Sequence, residues 1–464
     1  MAPRLASRSP ALLILLALLL PLIAACGGGV ASTPLAAMPT QPPVAASGGG
    51  AAATAAPAAP APTAAAAASD SAPKPADAAG AAPIGAPAIA AMPTRPPEAA
   101  GIAIQPTAMP AANTQQQYTP LKAGEVDDNA DFNDYLNYLR SAGGIRAHTV
   151  DVSERYILSV TNGQQPVLDA RVRIFDGQQQ VFEGRTYAGG KTIFFPNAIG
   201  VSQNAQQLRV VIEKGNRSTE GQLIRGQDGS QSFVLRDAAA LPATPRLDVL
   251  FLLDATGSMG DEIGQIQQTI VSIAERIDRI QPRPELRFGL VAYRDRGDDY
   301  VTRVNDFTAN VDEFQGLLLN TAAGGGGDDP ESLNEGLHAA IQRVGWADDA
   351  VRLTFLVADA PPHLDYDQDY DYVTESQAAV SKGIKVYTIA ASNSGDEAEY
   401  IMRQISQQTL ARFIFLTYQQ GQNSGTPGDT TLHQVDPDNF TVERLDDLVV
   451  QIVQRELALA QGVA

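Results

Sequence analysis

The chain is 464 residues long, enough for two or three domains at about 100–200 residues each. Its 33 Lys and Arg against 52 Asp and Glu leave a net charge of −19, so no excess of cations is available for a nucleic-acid backbone or an anionic lipid surface. One cysteine excludes an intramolecular disulfide and a thiolate metal cluster.

Arg4 and Arg8 precede an apolar stretch from Ala11 to Ile23, and small residues lead to the single cysteine, Cys26. The apolar stretch is too short for a spanning helix and has the build of an export signal over residues 1–25. Ile23-Ala24-Ala25-Cys26 resembles a bacterial lipobox, which implies lipid attachment at Cys26. The expected location is then the cell membrane, facing the extracellular side or the periplasm, held by an N-terminal lipid anchor. Residues 26–117 are mostly Ala, Pro, Gly and Thr, too poor in large apolar side chains to offset the entropy of ordering. They are expected to form a disordered tether, about 50 Å across as a flexible coil and about 280 Å at full extension. AMPTQPP from Ala37 and AMPTRPP from Ala91 repeat within it.

In the segment 118–145, Phe132, Tyr135, Leu136 and Leu139 fall on one face of a short helix. From residue 146 to 240 the pattern changes to short alternating stretches, such as YILSV, RVRIF and LRVVIE, separated by Gly and Asn. This spacing predicts a small antiparallel all-β sandwich. It resembles immunoglobulin-like and carboxypeptidase-regulatory-like modules, which implies a spacer or a binding module, and no catalytic pattern occurs in it.

After the linker Leu241–Pro245, strands and helices alternate to residue 462. Strands are expected at 247–253, 286–293, 301–306, 351–358, 384–390 and 412–416. Helices are expected at 261–280, 310–320, 331–344, 373–383, 396–410 and 442–459. Alternation of this kind predicts an α/β domain, a Rossmann-like doubly wound and mostly parallel sheet covered on both faces. Ile263, Ile266, Ile270, Ile273, Ile277 and Ile280 mark the core face of the first helix, spaced three and four apart.

The apolar run Val249–Leu253 stops at Asp254, and Thr256 and Ser258 follow at two-residue spacing. One turn can therefore aim three oxygens at one point, at a strand end just before a helix N-terminus, which outlines a site for a hard cation. Further on, AGGGGDDPE at Ala323–Glu331 is a Gly-rich loop with paired acids, and LTFLVADAPPHL from Leu353 is a buried strand ending at Asp359.

Asp254-Ala255-Thr256-Gly257-Ser258 resembles the Asp-x-Ser-x-Ser of the metal-ion-dependent adhesion site of von Willebrand factor type A domains, with Thr keeping the hydroxyl. The loop containing Asp328 and the DAPPH around Asp359 resemble the second and third loops of hemicentin-like and bacterial members. The AYRDRGDD from Ala292 suits that subgroup as well. The resemblance implies a metal held by Asp254, Thr256, Ser258, Asp328 and Asp359, with Mg²⁺ (or Mn²⁺ or Ca²⁺) as cofactor and a protein ligand as partner. It implies binding without catalysis. Adhesive members carry Thr in the second loop. A direct Asp328 would put three carboxylates on the ion, weaken its pull on an incoming carboxylate and admit Ca²⁺ as well as Mg²⁺.

Two other functions compete with adhesion. One is an envelope scaffold with a purely structural metal. The other is a phosphohydrolase of the haloacid dehalogenase type, where Asp254 would be the nucleophile. Ala255 stands where the P-type ATPase sequence DKTGT has lysine, and no second Asp follows two residues on as in the phosphatases. DYDQDYDY from Asp365 lacks the Gly and Glu of an EF-hand loop and is expected to be a solvated acidic rim that favours basic partners. Arg296-Gly297-Asp298 is expected to belong to the domain's own loop. His338 and His363 are expected to be structural.

Overall fold

The apolar run that ends at Asp254 lies inside an eight-stranded sheet with parallel neighbours on both sides. In the computed structural model the described residues are 121–463, except 228, 240, 243, 328, 367–368, 392–393 and 418–441. The expected export signal, Cys26 and the tether to residue 117 lie outside them.

The described chain begins with strand β1 (Lys122–Val126) and helix α1 (Phe132–Ser141). The sandwich follows with β2 (Tyr156–Thr161), β3 (Arg171–Asp176), β4 (Gln179–Arg185), β5 (Lys191–Phe194), β6 (Gln207–Lys214), β7 (Arg217–Ile224) and β8 (Ser230–Val234). Its two sheets have the orders β5-β2-β8 and β4-β3-β6-β7. One expectation is corrected here. The sandwich is not wholly antiparallel, because β2 and β8 pair in parallel. Alternation fixes which residues face the core and is silent about strand direction. Leu158, Val160, Val172, Ile174, Val210, Ile212 and Leu223 fill the interior between the sheets.

The α/β part contains β9 (Arg246–Asp254), α2 (Ile263–Asp278), β10 (Glu285–Tyr293), β11 (Thr302–Thr308), α3 (Val311–Leu319), α4 (Leu333–Gln342) and β12 (Ala350–Ala358). It continues with α5 (Tyr372–Lys382), β13 (Ile384–Ala390), α6 (Asp396–Gln408), β14 (Phe413–Leu416), β15 (Val442–Arg444) and α7 (Leu445–Ala460). The strand order is β11-β10-β9-β12-β13-β14-β1-β15, with the five from β10 to β14 parallel.

Successive side chains of a strand point to opposite faces. Accordingly Val249, Phe251 and Leu253 meet the helices α2, α3 and α7, while Leu250 and Leu252 meet α4 and α6. Phe251 touches Phe314 and Phe355 at ring separations of 5.8 and 5.6 Å. Truncating it to alanine would cost about 3–5 kcal/mol.

Two further features depart from the sequence expectations. The segment 118–145 holds a strand besides its helix: β1 lies between β14 and β15, antiparallel to both. The stretch expected as one helix from 442 opens with the short strand β15. KAGEV carries little strand propensity of its own, and the open edge of β14 supplies the hydrogen bonds that hold it. Gly124 lies flat against the Phe415 ring, where a Cβ would collide.

The sandwich docks at the sheet edge where the parallel strands begin. Asp169 reaches Arg352 near the start of β12, with Oδ1 to Nη1 at 2.9 Å and Oδ2 to Nη2 at 3.1 Å, and accepts from the Asp349 backbone N–H at 2.9 Å. Tyr135, Val150, Val152, Ile193, Phe195 and Val380 form a joint apolar cluster of α1, the sandwich and α5. The opposite edge, where the parallel strands end, is left to loops.

Candidate metal centre

Asp254 is the last residue of β9 and is fully buried. Its Oδ1 accepts from the Thr256 backbone N–H at 2.9 Å and from the Thr256 hydroxyl at 2.7 Å, an Asx turn that fixes the loop. Its Oδ2 accepts from the Tyr293 hydroxyl at 2.9 Å. Tyr293 ends β10 and sits in register beside Asp254.

The oxygens continue outward from there. Thr256 Oγ1 lies 3.1 Å from Ser258 Oγ, and Ser258 Oγ lies 3.1 Å from Oδ1 of Asp359, the residue just past β12. Two carboxylates and two hydroxyls from two loops thus follow one another at 2.7, 3.1 and 3.1 Å. Burial, and then the charge of Asp359, push the Asp254 carboxyl up to about 7.

The second loop wraps this turn with its backbone. The Gly324 N–H donates to Ala255 O and the Gly257 N–H to Gly325 O, both at 3.0 Å. Gly325 and Gly326 have φ of 76° and 64°, a region open to glycine. A Cβ at Gly326 would strike the carboxylate of Glu331 and press on Thr256. Glu331 is 3 % exposed, and its Oε2 has no hydrogen-bond partner among the described residues. Burial first, then Asp254, Asp295, Asp359 and Asp298, push its carboxyl up to about 9. The Glu331 N–H donates to Pro361 O and the His363 N–H to Glu331 O, which ties the second loop to the third.

Of the residues expected from sequence, Asp254, Thr256, Ser258 and Asp359 come together, and Asp328 lies outside the described residues. Tyr293 and Glu331 are not marked as site residues by the sequence, and Asp298 is expected only as part of the domain's own loop. Tyr293 could have been found from the pairing of adjacent strand ends, whereas Glu331 carries no periodic signal. Among the described residues no three His, Cys, Asp or Glu side chains converge as a ligand set. The converging oxygens are two carboxylates and two hydroxyls.

Arg296-Gly297-Asp298 is consumed internally. Arg296 pairs with Glu335 at 2.6 Å and Asp369 at 2.9 Å, and it lies 4.1 Å over the Tyr366 ring. Asp298 accepts from the N–H groups of Asp295 and Gly326 at 3.1 and 2.8 Å. In the acidic stretch, Asp365 pairs with His363, Asp369 with Arg296, and Asp371 caps α5 through the Val373 N–H. His338 bonds Glu375 at 2.8 Å and stacks on Tyr370.

Residues 248–421 match the family model of the von Willebrand factor A domain. The chain carries a von Willebrand factor A domain. It is 32 % identical over 126 residues to the alpha-protein kinase vwkA of Dictyostelium discoideum, covering 27 % of this chain and 20 % of that protein. It is 25 % identical over 173 residues to the putative ariadne-like RING finger protein R811 of Acanthamoeba polyphaga mimivirus, covering 33 % and 17 %. To von Willebrand factor A domain-containing protein 7 of Homo sapiens it is 32 % identical over 119 residues, covering 26 % and 12 %. These matches span a fifth or less of each relative. The A domain here is larger than the stretch matched by the family model, since β1, β15 and α7 complete its sheet and its helical layer.

Proposed function

We propose that the A domain takes up one divalent cation among Asp254, Thr256, Ser258 and Asp359, and through it binds a protein partner without turnover. The observation that carries this is the convergence of two buried carboxylates and two hydroxyls through oxygen–oxygen approaches of 2.7, 3.1 and 3.1 Å, with the Asp254 carboxyl pushed up by burial and by the Asp359 charge. A cation offsets that cost. Every donor is a hard oxygen, which suits Mg²⁺, Mn²⁺ or Ca²⁺. When bound, the cation supplies an open position for an oxygen of the partner, such as a carboxylate.

The chain's own residues hold the site in shape. Tyr293 orients Asp254, the turn from Asp254 to Ser258 presents its hydroxyls, and the glycine loop packs close behind. Asp328 either binds through water or, bound directly, adds a third carboxylate and lowers the attraction for an acidic partner. On that argument Asp328→Thr tightens binding to an acidic peptide, and unchanged or weaker binding counts against it. The reading extends to lipid attachment at Cys26, a tethered position at the cell surface and an export signal, all resting on the N-terminal sequence.

Calorimetric titration of the full chain with Mg²⁺, Mn²⁺ and Ca²⁺ is the test. Uptake that disappears in Asp254→Ala supports the reading, and absence of uptake of all three ions defeats it. Partner capture from surface extracts with and without chelator then separates adhesion from an envelope scaffold. Under the scaffold reading, chelation lowers the melting temperature and leaves capture intact.

A further inference from the structure

The second and third loops enclose a groove as well as contributing to the metal edge. It has a volume of about 200 Å³ and is lined by Arg146, Pro330, Pro362, Leu364, Asp365 and Glu397. Pro330 directly precedes Glu331, and Pro362 bridges to Glu331 through the backbone. The floor is therefore set by the same chain segments that position Asp359 and Glu331.

The groove's chemistry is divided. Pro330, Pro362 and Leu364 give it an apolar floor, and Asp365 and Glu397 place carboxylates on its walls. The Asp365 side chain is 74 % exposed, and the hydrogen bond from His363 holds its carboxyl below the usual range, so it stays charged. A long basic side chain matches this division, because its aliphatic stem lies on apolar surface while its cationic head stays with carboxylates. The chain itself supplies a stand-in. Arg146, with a side chain 75 % exposed, sits in the groove with its Nε 3.5 Å from Glu397. An arm so exposed is held weakly and can give way.

We propose that this groove receives an arginine or lysine side chain of the protein partner, displacing Arg146 from Glu397. The proposal rests on the cation reading above and sharpens it. The partner then presents an acidic residue to the metal edge and a basic one to the groove beside it.

The test uses fluorescently labelled short peptides, each with one Asp and, two to five residues away, Arg, Lys, Ala or Glu. Binding to the full chain in Mg²⁺ is read by anisotropy. The Arg and Lys peptides are expected to bind about 5–10-fold tighter than the Ala peptide at the best spacing, the scale of a partly exposed ion pair with added stem contact. That advantage is expected to vanish in Asp365→Asn/Glu397→Gln and to grow in Arg146→Ala.

Equal binding of the Arg and Ala peptides, absence of peptide binding, or an advantage that survives the double substitution overturns the proposal. Calorimetry with Mg²⁺ alone keeps the two readings apart. Metal uptake without a basic preference defeats the groove only, whereas no uptake defeats the cation reading and removes the groove's partner with it.

Discussion

Two buried aspartates at opposite edges of one sheet are balanced in opposite ways. Asp254 and Asp169 are 0 % and 3 % exposed, so both are taken out of water. Asp169 is faced by Arg352, Arg185 and Lys214. Burial pushes its carboxyl up, but the Arg352 hydrogen bond and the surrounding positive charge bring it below its ordinary value. Asp254 has hydroxyls, one backbone N–H and a second carboxylate near it, and no cationic side chain among the described residues, so it is pushed up to about 7. A buried carboxylate with protein-supplied cations serves as cement, and one without them is suited to an ion from solution.

Substitution at each edge tests that contrast, beginning with the largest effect. Asp254→Ala should abolish Mg²⁺ uptake in calorimetry while the far-ultraviolet circular dichroism stays native. Asp169→Ala should do the reverse, since it strands buried Arg352. Unfolding by denaturant should then show a loss of about 3–5 kcal/mol, with metal uptake retained at temperatures where the fold persists. Tyr293→Phe removes one outer hydrogen bond to Asp254 and should weaken metal affinity about 10–100-fold.

The smallest effects come from pH, and their signs differ between the edges. The Asp254 carboxyl is raised in the metal-free fold, so its ionised form opposes folding as pH rises from the unfolded value towards about 7. Metal-free Asp254→Asn should therefore melt higher than the parent at pH 8, and metal affinity of the parent should fall as pH drops below about 7. Asp169 is lowered, so its stabilisation is present above the unfolded carboxyl value and is lost as pH falls through the folded one. Melting curves at pH 3 and pH 6 should show Asp169→Asn costing less in acid. A constant difference would mean that the charge does not matter at this edge.

The two edges also differed in how well the sequence exposed them. Asp254, Thr256 and Ser258 are neighbours in the chain, and their two-residue spacing after an apolar run sufficed to place three oxygens together. Asp359 was marked by the end of its own buried strand. The other edge was hidden, because Asp169 and Arg352 lie 183 residues apart and neither shows a pattern. The sequence places the RGD segment in the domain's own loop and makes the acidic stretch a solvated rim, but Asp369 of that stretch is enclosed by its pair with Arg296, which also lies over Tyr366.

What the sequence determined by itself was local: six of the eight sheet strands and the six helices of the A domain, to within a few residues, and the core stripe from Ile263 to Ile277. Periodic burial leaves a trace in the chain, because one face must be apolar whatever it packs against. The tertiary structure alone decided that β1 completes the sheet, that β2 and β8 run in parallel and that Glu331 is enclosed behind the turn from Asp254 to Ser258. Those outcomes depend on which distant edge or charge happens to lie alongside, and a short strand such as KAGEV or a single glutamate carries no record of its neighbour.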